Sequence, residues 1–342
     1  MAKKTEYWPE LYELAIEIKK LAPWDWMGES AIFGVEDPGS GKVNYISIMG
    51  QIGEHLSVSA YLGEEGLSKY HYFTDNYKNL PPETILEMPQ FMLSFEDRDI
   101  LGDEDYAIIK NLGLKFRGSF AWPTFKHYSP GFVPYTLEAN NHQTMLHILR
   151  QTIDVAKRFE NNEELIYPPE PEREEHYLIR KPTLKNNEIT WTDTYRLVKL
   201  ADKPIEFKIS QLSVDSFNNK PASKNIFVAD FFMFPNPVNE PGQKPYFPYL
   251  LLLLDKESEM IMGYEMLTPK DGYIEMLSNI PQSLLNQLIN HTAKPKKIQV
   301  QSQRLYDLLY PMFTNYMSID LELKPNISAI NEAKSMMMNI IG

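Results

Sequence analysis

Between residues 56 and 62 the side chains alternate. Leu56, Val58, Ala60 and Leu62 fall on one face and Ser57, Ser59 and Tyr61 on the other, the period of two that a strand with one buried face requires. Residues 8–22 follow a different period. Trp8, Leu11, Ala15, Ile18 and Ala22 recur at helical spacing while Glu13, Glu17 and Lys20 fall elsewhere, which predicts a helix. Pro9 suits its first turn and Pro23 stops it. The same reading predicts strands at 31–36, 43–49, 90–96 and 132–137 and helices at 64–77, 103–112 and 140–160. Short strands mixed with helices, the first three strands joined by tight turns, predict an α+β N-terminal domain with an antiparallel meander.

Past residue 224 the order of elements becomes more specific. "NIFVADFFMF" (225–234), "FPYLLLLLD" (247–255) and "MIMGYEMLT" (260–268) read as three strands of a second meander. A helix at 271–290, a strand at 297–301, a helix at 302–316, a strand at 318–324 and a final helix at 326–341 come next. Asp271 stands where it would cap the first of these helices, and Asn326 starts the last just after Pro325. The order is βββαβαβα, that of an α/β domain.

A length of 342 residues favours about two domains. The sharpest change of composition lies at "ENNEELIYPPEPEREEHY" (160–177), where three prolines lack backbone donors and neighbouring acids repel one another. That places an α+β domain at 1–160, a Pro/Glu-rich linker at 161–176, connecting strands and a helix at 177–224, and the α/β domain at 225–342. Charge changes at the same place. Residues 1–176 hold 16 basic and 29 acidic side chains, and residues 177–342 hold 18 and 17. An acidic first half repels a phosphate backbone, so the composition favours protein over nucleic acid as a partner. No apolar run reaches the roughly 18–20 residues that span a bilayer, and the N-terminal stretch lacks an apolar signal core, so a cytoplasmic protein without a membrane segment is expected. With no cysteine in the sequence, disulfides, thiolate nucleophiles and thiolate zinc sites are excluded.

Catalytic motifs are sparse. "GSGK" at 39–42 resembles the end of a phosphate-binding loop, but G-x-x-x-x-G-K-[ST] would need glycine at Glu36 and a hydroxyl at Val43. The residues after Lys42 alternate as those of a strand do, whereas a phosphate loop opens a helix; a hairpin turn is expected. His142 and His147, five residues apart, do not share a helix face. No G-x-S-x-G elbow marks a serine nucleophile. The segment "KFRGSFAWPTFKHYSPGFVPY" (115–135) interleaves aromatics with cations. That pattern suits either core packing or a partner-binding surface, for which Trp122, Phe125 and Arg117 are the candidates.

"VAD" followed by aromatics in the strand at 225–234, together with "YLLLLLDKESEMIMGYEML", resembles the opening of an integrase or transposase core. The βββαβαβα order is similar to that of the ribonuclease-H-like fold. In active enzymes of that fold, carboxylates hold two metal ions that stabilise the attacking and leaving oxygens. The resemblance implies Asp230 as the first-strand acid and Glu332 as the acid of the last helix, with Glu275 as a possible helper. The acid expected after the fourth strand falls at Gln301 or Ser302, neither of which is a carboxylate. Asp230 and Glu332 are therefore expected close together, able to hold one divalent ion weakly, with no cofactor otherwise. The whole chain also resembles a family of bacterial proteins built from two domains of unknown function, through "FGVEDP", "YISIMGQIGEHLSVSAYLGEEGL", "KFRGSFAWPTF", "FPYLLLLLDKESEMIMGYEML" and "PKKIQV". No established activity comes with that family. The expectation is a non-catalytic interaction protein carrying an inactive ribonuclease-H-like domain; the alternative is a metal-dependent nuclease or phosphodiesterase using Asp230 and Glu332.

Overall fold

The computed structural model describes residues 7–78, 80, 82–167, 176–186, 188–200 and 205–341. The chain divides into two units, Met1–Ser129 with Pro134–Asp202, and Pro130–Val133 with Lys203–Gly342. Both are mixed α/β structures built on mixed sheets.

The first unit holds an eight-stranded sheet. β1 (Phe33–Glu36), β2 (Val43–Met49), β3 (Leu56–Leu62), β4 (Gln90–Glu96), β5 (Trp122–Tyr128) and β6 (Tyr135–Thr136) run as an antiparallel meander. On the far side of β1 the sheet continues with β7 (His176–Lys185), parallel to it, and β8 (Glu188–Leu197). Helices α1 (Trp8–Leu21) and α4 (His142–Phe159) cover one face, where Leu11, Ile18 and Leu149 meet Ile46, Val58 and Ala60. α2 (Gly63–Asn76) covers part of the other, with Leu67 and Tyr70 against Tyr45 and Tyr61. The strand at 56–62 thus has two buried faces rather than one, and Ser57 and Ser59 are buried. α3 (Asp103–Asn111) follows β4.

Gly66 shows how tightly α2 approaches the sheet. A Cβ there would stand 2.8 Å from the Tyr61 carbonyl carbon and 2.9 Å from the Pro89 oxygen, both backbone atoms. Gly→Ala inside an open helix gains about 1 kcal/mol. Here the sign should reverse, and Gly66→Ala should destabilise by about 1–3 kcal/mol through overpacking, measured by urea unfolding. A variant more stable than wild type would contradict this close approach.

The "GSGK" segment is the turn between β1 and β2, which pair from Phe33↔Ile46 to Glu36↔Val43. Asp37 Oδ1 accepts the Gly39 and Ser40 amides and the Ser40 hydroxyl, and Gly41 turns at φ +69°. Burial pushes the Asp37 carboxyl up, but these bonds, with one that the Thr144 hydroxyl donates to Asp37 Oδ2, hold it below its ordinary range.

The division of the chain differs from that expected. The sheet of the first unit does not end at 160, because β7 and β8 complete it. Gly34 of β1 pairs with Ile179 of β7, and a pairing so distant along the chain leaves no local trace. Part of the expected linker, residues 168–175, lies outside the described residues; within the rest, Ile166 is buried in the first core.

The second unit contains α5 (Gln211–Asn218), β9 (Ile226–Met233), β10 (Tyr249–Asp255), β11 (Ile261–Leu267), α6 (Tyr273–Ile289), β12 (Lys297–Val300), α7 (Gln303–Tyr316), β13 (Asp320–Leu323) and α8 (Ser328–Ile341). Its sheet order is β11-β10-β9-β12-β13, antiparallel across the first three strands and parallel from β9 to β13. Val228, Phe232, Leu250, Leu252 and Leu254 face α8, packing on Ile327 and Ile330. The opposite face meets α6 and α7. With both faces covered, β10 needs no polar alternation, hence its unbroken leucines.

Candidate functional site

Asp230 lies on β9, the central strand, paired with Leu252 of β10. Its side chain turns to the α8 face and is 1% exposed. A carboxylate so buried is expensive unless a charge or hydrogen bond compensates it. The compensation comes from Lys334 of α8, whose ammonium is ion-paired to Asp230 Oδ2 and stands 4.5 Å from the Phe232 ring centroid. Among the described residues, Asp230 Oδ1 is buried without a hydrogen-bond partner.

The other positions expected to carry acids have different work. Gln301, just after β12, accepts the Ile327 amide at 2.6 Å and donates to Asn331 Oδ1 at 2.9 Å. Asn331 in turn donates to Asn326 Oδ1 at 2.8 Å. Asn326 turns at φ +66°, a conformation asparagine tolerates. This chain of amides fastens the start of α8 to the end of β12. Ser302 caps α7 by accepting the Leu305 amide at 3.2 Å.

Glu332 is exposed, and it is not brought to Asp230. Ile330, Lys334 and Met337 form the inward stripe of α8, with Ile327 just before it, and residue 332, two positions before Lys334, falls on the opposite side of the helix. Glu275 is exposed in the first turn of α6. It lies across the sheet from Asp230, on the face where Arg304 of α7 stands 4.9 Å from the Phe231 ring. Among the described residues no three His, Cys, Asp or Glu side chains converge as metal ligands would. These side chains do not fit a pair of divalent ions: an ammonium already neutralises the one central carboxylate, and the neighbouring amides are engaged in fastening α8.

Sequence reading missed Lys334, although a signal was present. A lysine recurring at i+4 from Ile330 on an apolar helix face must find a buried acid or leave the core.

In the first unit Phe125 is not a surface residue. It is 1% exposed and packs 5.7 Å from Trp8 and 5.3 Å from Tyr12, ring to ring. Trp122 is half-buried, 5.8 Å from Phe116, with the Arg98 guanidinium 5.5 Å from its ring and 3.9 Å from that of Tyr106. Arg117 is exposed. Between them Phe120 is held at φ +50°, unusual for a bulky residue, and its amide donates to Asp97 Oδ1 at 2.8 Å. A separate cleft of about 490 Å³ is lined by Glu29, Ser30, Gln51, Tyr70, His71 and Thr74, among others. There His71 Nε2 lies 2.7 Å from the Tyr177 hydroxyl, and burial pushes the imidazole below its ordinary value while Asp75 opposes.

A family model described as "Domain of unknown function (DUF7309)" matches residues 8–180, just over half of the chain. The chain belongs to the DUF7309 family. A second model, "Domain of unknown function (DUF6930)", matches residues 213–338, so the chain carries two such domains in tandem. The DUF7309 match runs from the start of α1 into β7, and the DUF6930 match from α5 into α8. No curated protein matches the chain. No helix among the described residues is long and apolar enough to cross a membrane.

Proposed function

We propose that this DUF7309 protein is a non-catalytic, protein-binding member of the cytoplasm whose second unit is a ribonuclease-H-like domain without a metal site. The order β11-β10-β9-β12-β13, with α8 on one face and α6 and α7 on the other, supports the fold. The observation that carries the functional reading is Lys334 on Asp230. A fixed ammonium supplies one positive charge to a carboxylate, but it cannot bridge the attacking and leaving oxygens of a phosphoryl transfer as two metal ions do. The acidic balance of the first unit, 21 basic against 32 acidic side chains, supports a protein rather than a nucleic-acid partner. The half-buried Trp122 under Arg98 and the exposed Arg117 are the proposed contact surface, since tryptophan, tyrosine and arginine dominate interface energetics. A protein without cysteine is suited to a reducing compartment.

The test is incubation of the full chain with manganese or magnesium and single-stranded, double-stranded and hybrid nucleic acids. No cleavage above a metal-free control is expected. Cleavage that Asp230→Asn abolishes would reverse the reading and establish a nuclease.

A further inference from the structure

The cleft of about 490 Å³ takes no part in the non-catalytic reading, and it lies wholly within the first unit. Its volume falls inside the roughly 300–1,000 Å³ of small-molecule sites. Ile32 and Tyr70, 5% and 9% exposed, form the floor, while Glu29, Ser30, Gln51 and Ile52 stand exposed at the rim. Ile52, in the turn between β2 and β3, is 80% exposed and offers the cleft mouth an apolar side chain.

The rim is held from behind. The Glu29 carbonyl accepts the Ser47 hydroxyl at 2.8 Å and the Tyr70 hydroxyl at 3.2 Å, which pins residues 28–30. A Cβ on Gly28 would stand 3.3 Å from Gln51 Oε1, so the carboxamide oxygen lies over the glycine next to Glu29. The Tyr177 hydroxyl, 2.7 Å from His71 Nε2, fixes the imidazole. Groups held in place before binding lose little freedom when a ligand arrives.

Charge selects the occupant. Among the described residues that line the cleft, Glu29 is the acid and none is Lys or Arg. The bonds of Glu29 run through its carbonyl, and its carboxylate has no ion pair or hydrogen bond among the described residues. Burial pushes the Tyr70 hydroxyl up to about 12, and the charges of Glu29 and Asp75 push the same way, so both carboxylates act on the floor. Burial holds His71 below its ordinary value while Asp75 opposes, and a neutral imidazole brings no positive charge. An anion is repelled here, and a cation is drawn in.

We propose that this cleft binds a small free organic amine as its ammonium ion. An ammonium carries three N–H donors. The Glu29 carboxylate, Gln51 Oε1 and the Ser30 hydroxyl are acceptors gathered around residues 28–30, and the apolar body of the ligand covers Ile32, Tyr70 and Ile52. The site is independent of the pair formed by Asp230 and Lys334, so failure of either reading leaves the other standing.

The test is a titration of the full chain at neutral pH, followed through its backbone amides, with benzylamine and with its neutral and anionic counterparts, benzyl alcohol and benzoate. Benzylamine should give saturable shifts at residues 28–32, 50–54 and 70–75 and should bind about tenfold more tightly than benzyl alcohol. Benzoate should give none. Glu29→Gln should erase the preference for the amine at an unchanged melting temperature, since the carboxylate has no partner to lose. Ile52→Ser should weaken the amine and the alcohol alike, by about threefold. No saturable shift with benzylamine, shifts scattered over surface acids, benzoate bound as well as benzylamine, or a preference that survives Glu29→Gln would each overturn the proposal.

Discussion

Lys334→Ala should destabilise the second unit by about 3–5 kcal/mol. Removing the ammonium leaves the Asp230 carboxylate 1% exposed, with one oxygen newly unpaired and the other already without a hydrogen bond among the described residues. An uncompensated buried charge costs more than the pair itself contributes. The reverse change, Asp230→Asn, should cost less, because the Lys334 side chain is 25% exposed and can reach water. Asp230→Leu combined with Lys334→Met, which removes both charges, should recover most of the loss. Urea unfolding of the four proteins decides the matter; a Lys334→Ala variant as stable as wild type would show that the pair does not hold the carboxylate. Had Asp230 faced Glu332, relief of repulsion would have made Asp230→Asn stabilising, so the same series separates the two arrangements.

Phe125→Ala should cost the first unit about 3–5 kcal/mol. The ring lies where β5 meets α1, among Trp8, Tyr12 and the sheet, and its removal leaves a cavity that rigid aromatic neighbours cannot close. Trp122→Ala should cost less stability, since its ring is half-buried and partly covered by the Arg98 side chain. A thermal melt in which the Phe125 variant matches wild type would return Phe125 to the surface as a contact residue.

Much of the fold was legible because local period and burial agree. The alternation at 56–62 and the helical spacing at 8–22 predicted β3 and α1, and the hydrophobic runs from 225 onward predicted every element of the second sheet. β5 was not legible. In "WPTFKHY" the aromatics fall three apart and a proline interrupts, so neither period appears. β7 and β8 were read as connectors because their place beside β1 is decided by a pairing across most of the first unit. At the site, Asp230 was legible as an acid in an apolar strand, but its partner was not. The resemblance directed attention to acids, and the helix presents Glu332 to solvent and Lys334 to the core.

The pairing of Gly34 with Ile179 also constrains how the chain is made. During synthesis β1 emerges early and must wait for β7, an interval on the order of ten seconds at ordinary rates of elongation. For that time the nascent sheet has an open margin where its longest-range partner will later dock, and contacts so far apart in sequence are slow to form. Completion of the first unit is therefore set by the ribosome reaching β7 and β8, and the meander that precedes them is an intermediate with one side unfinished.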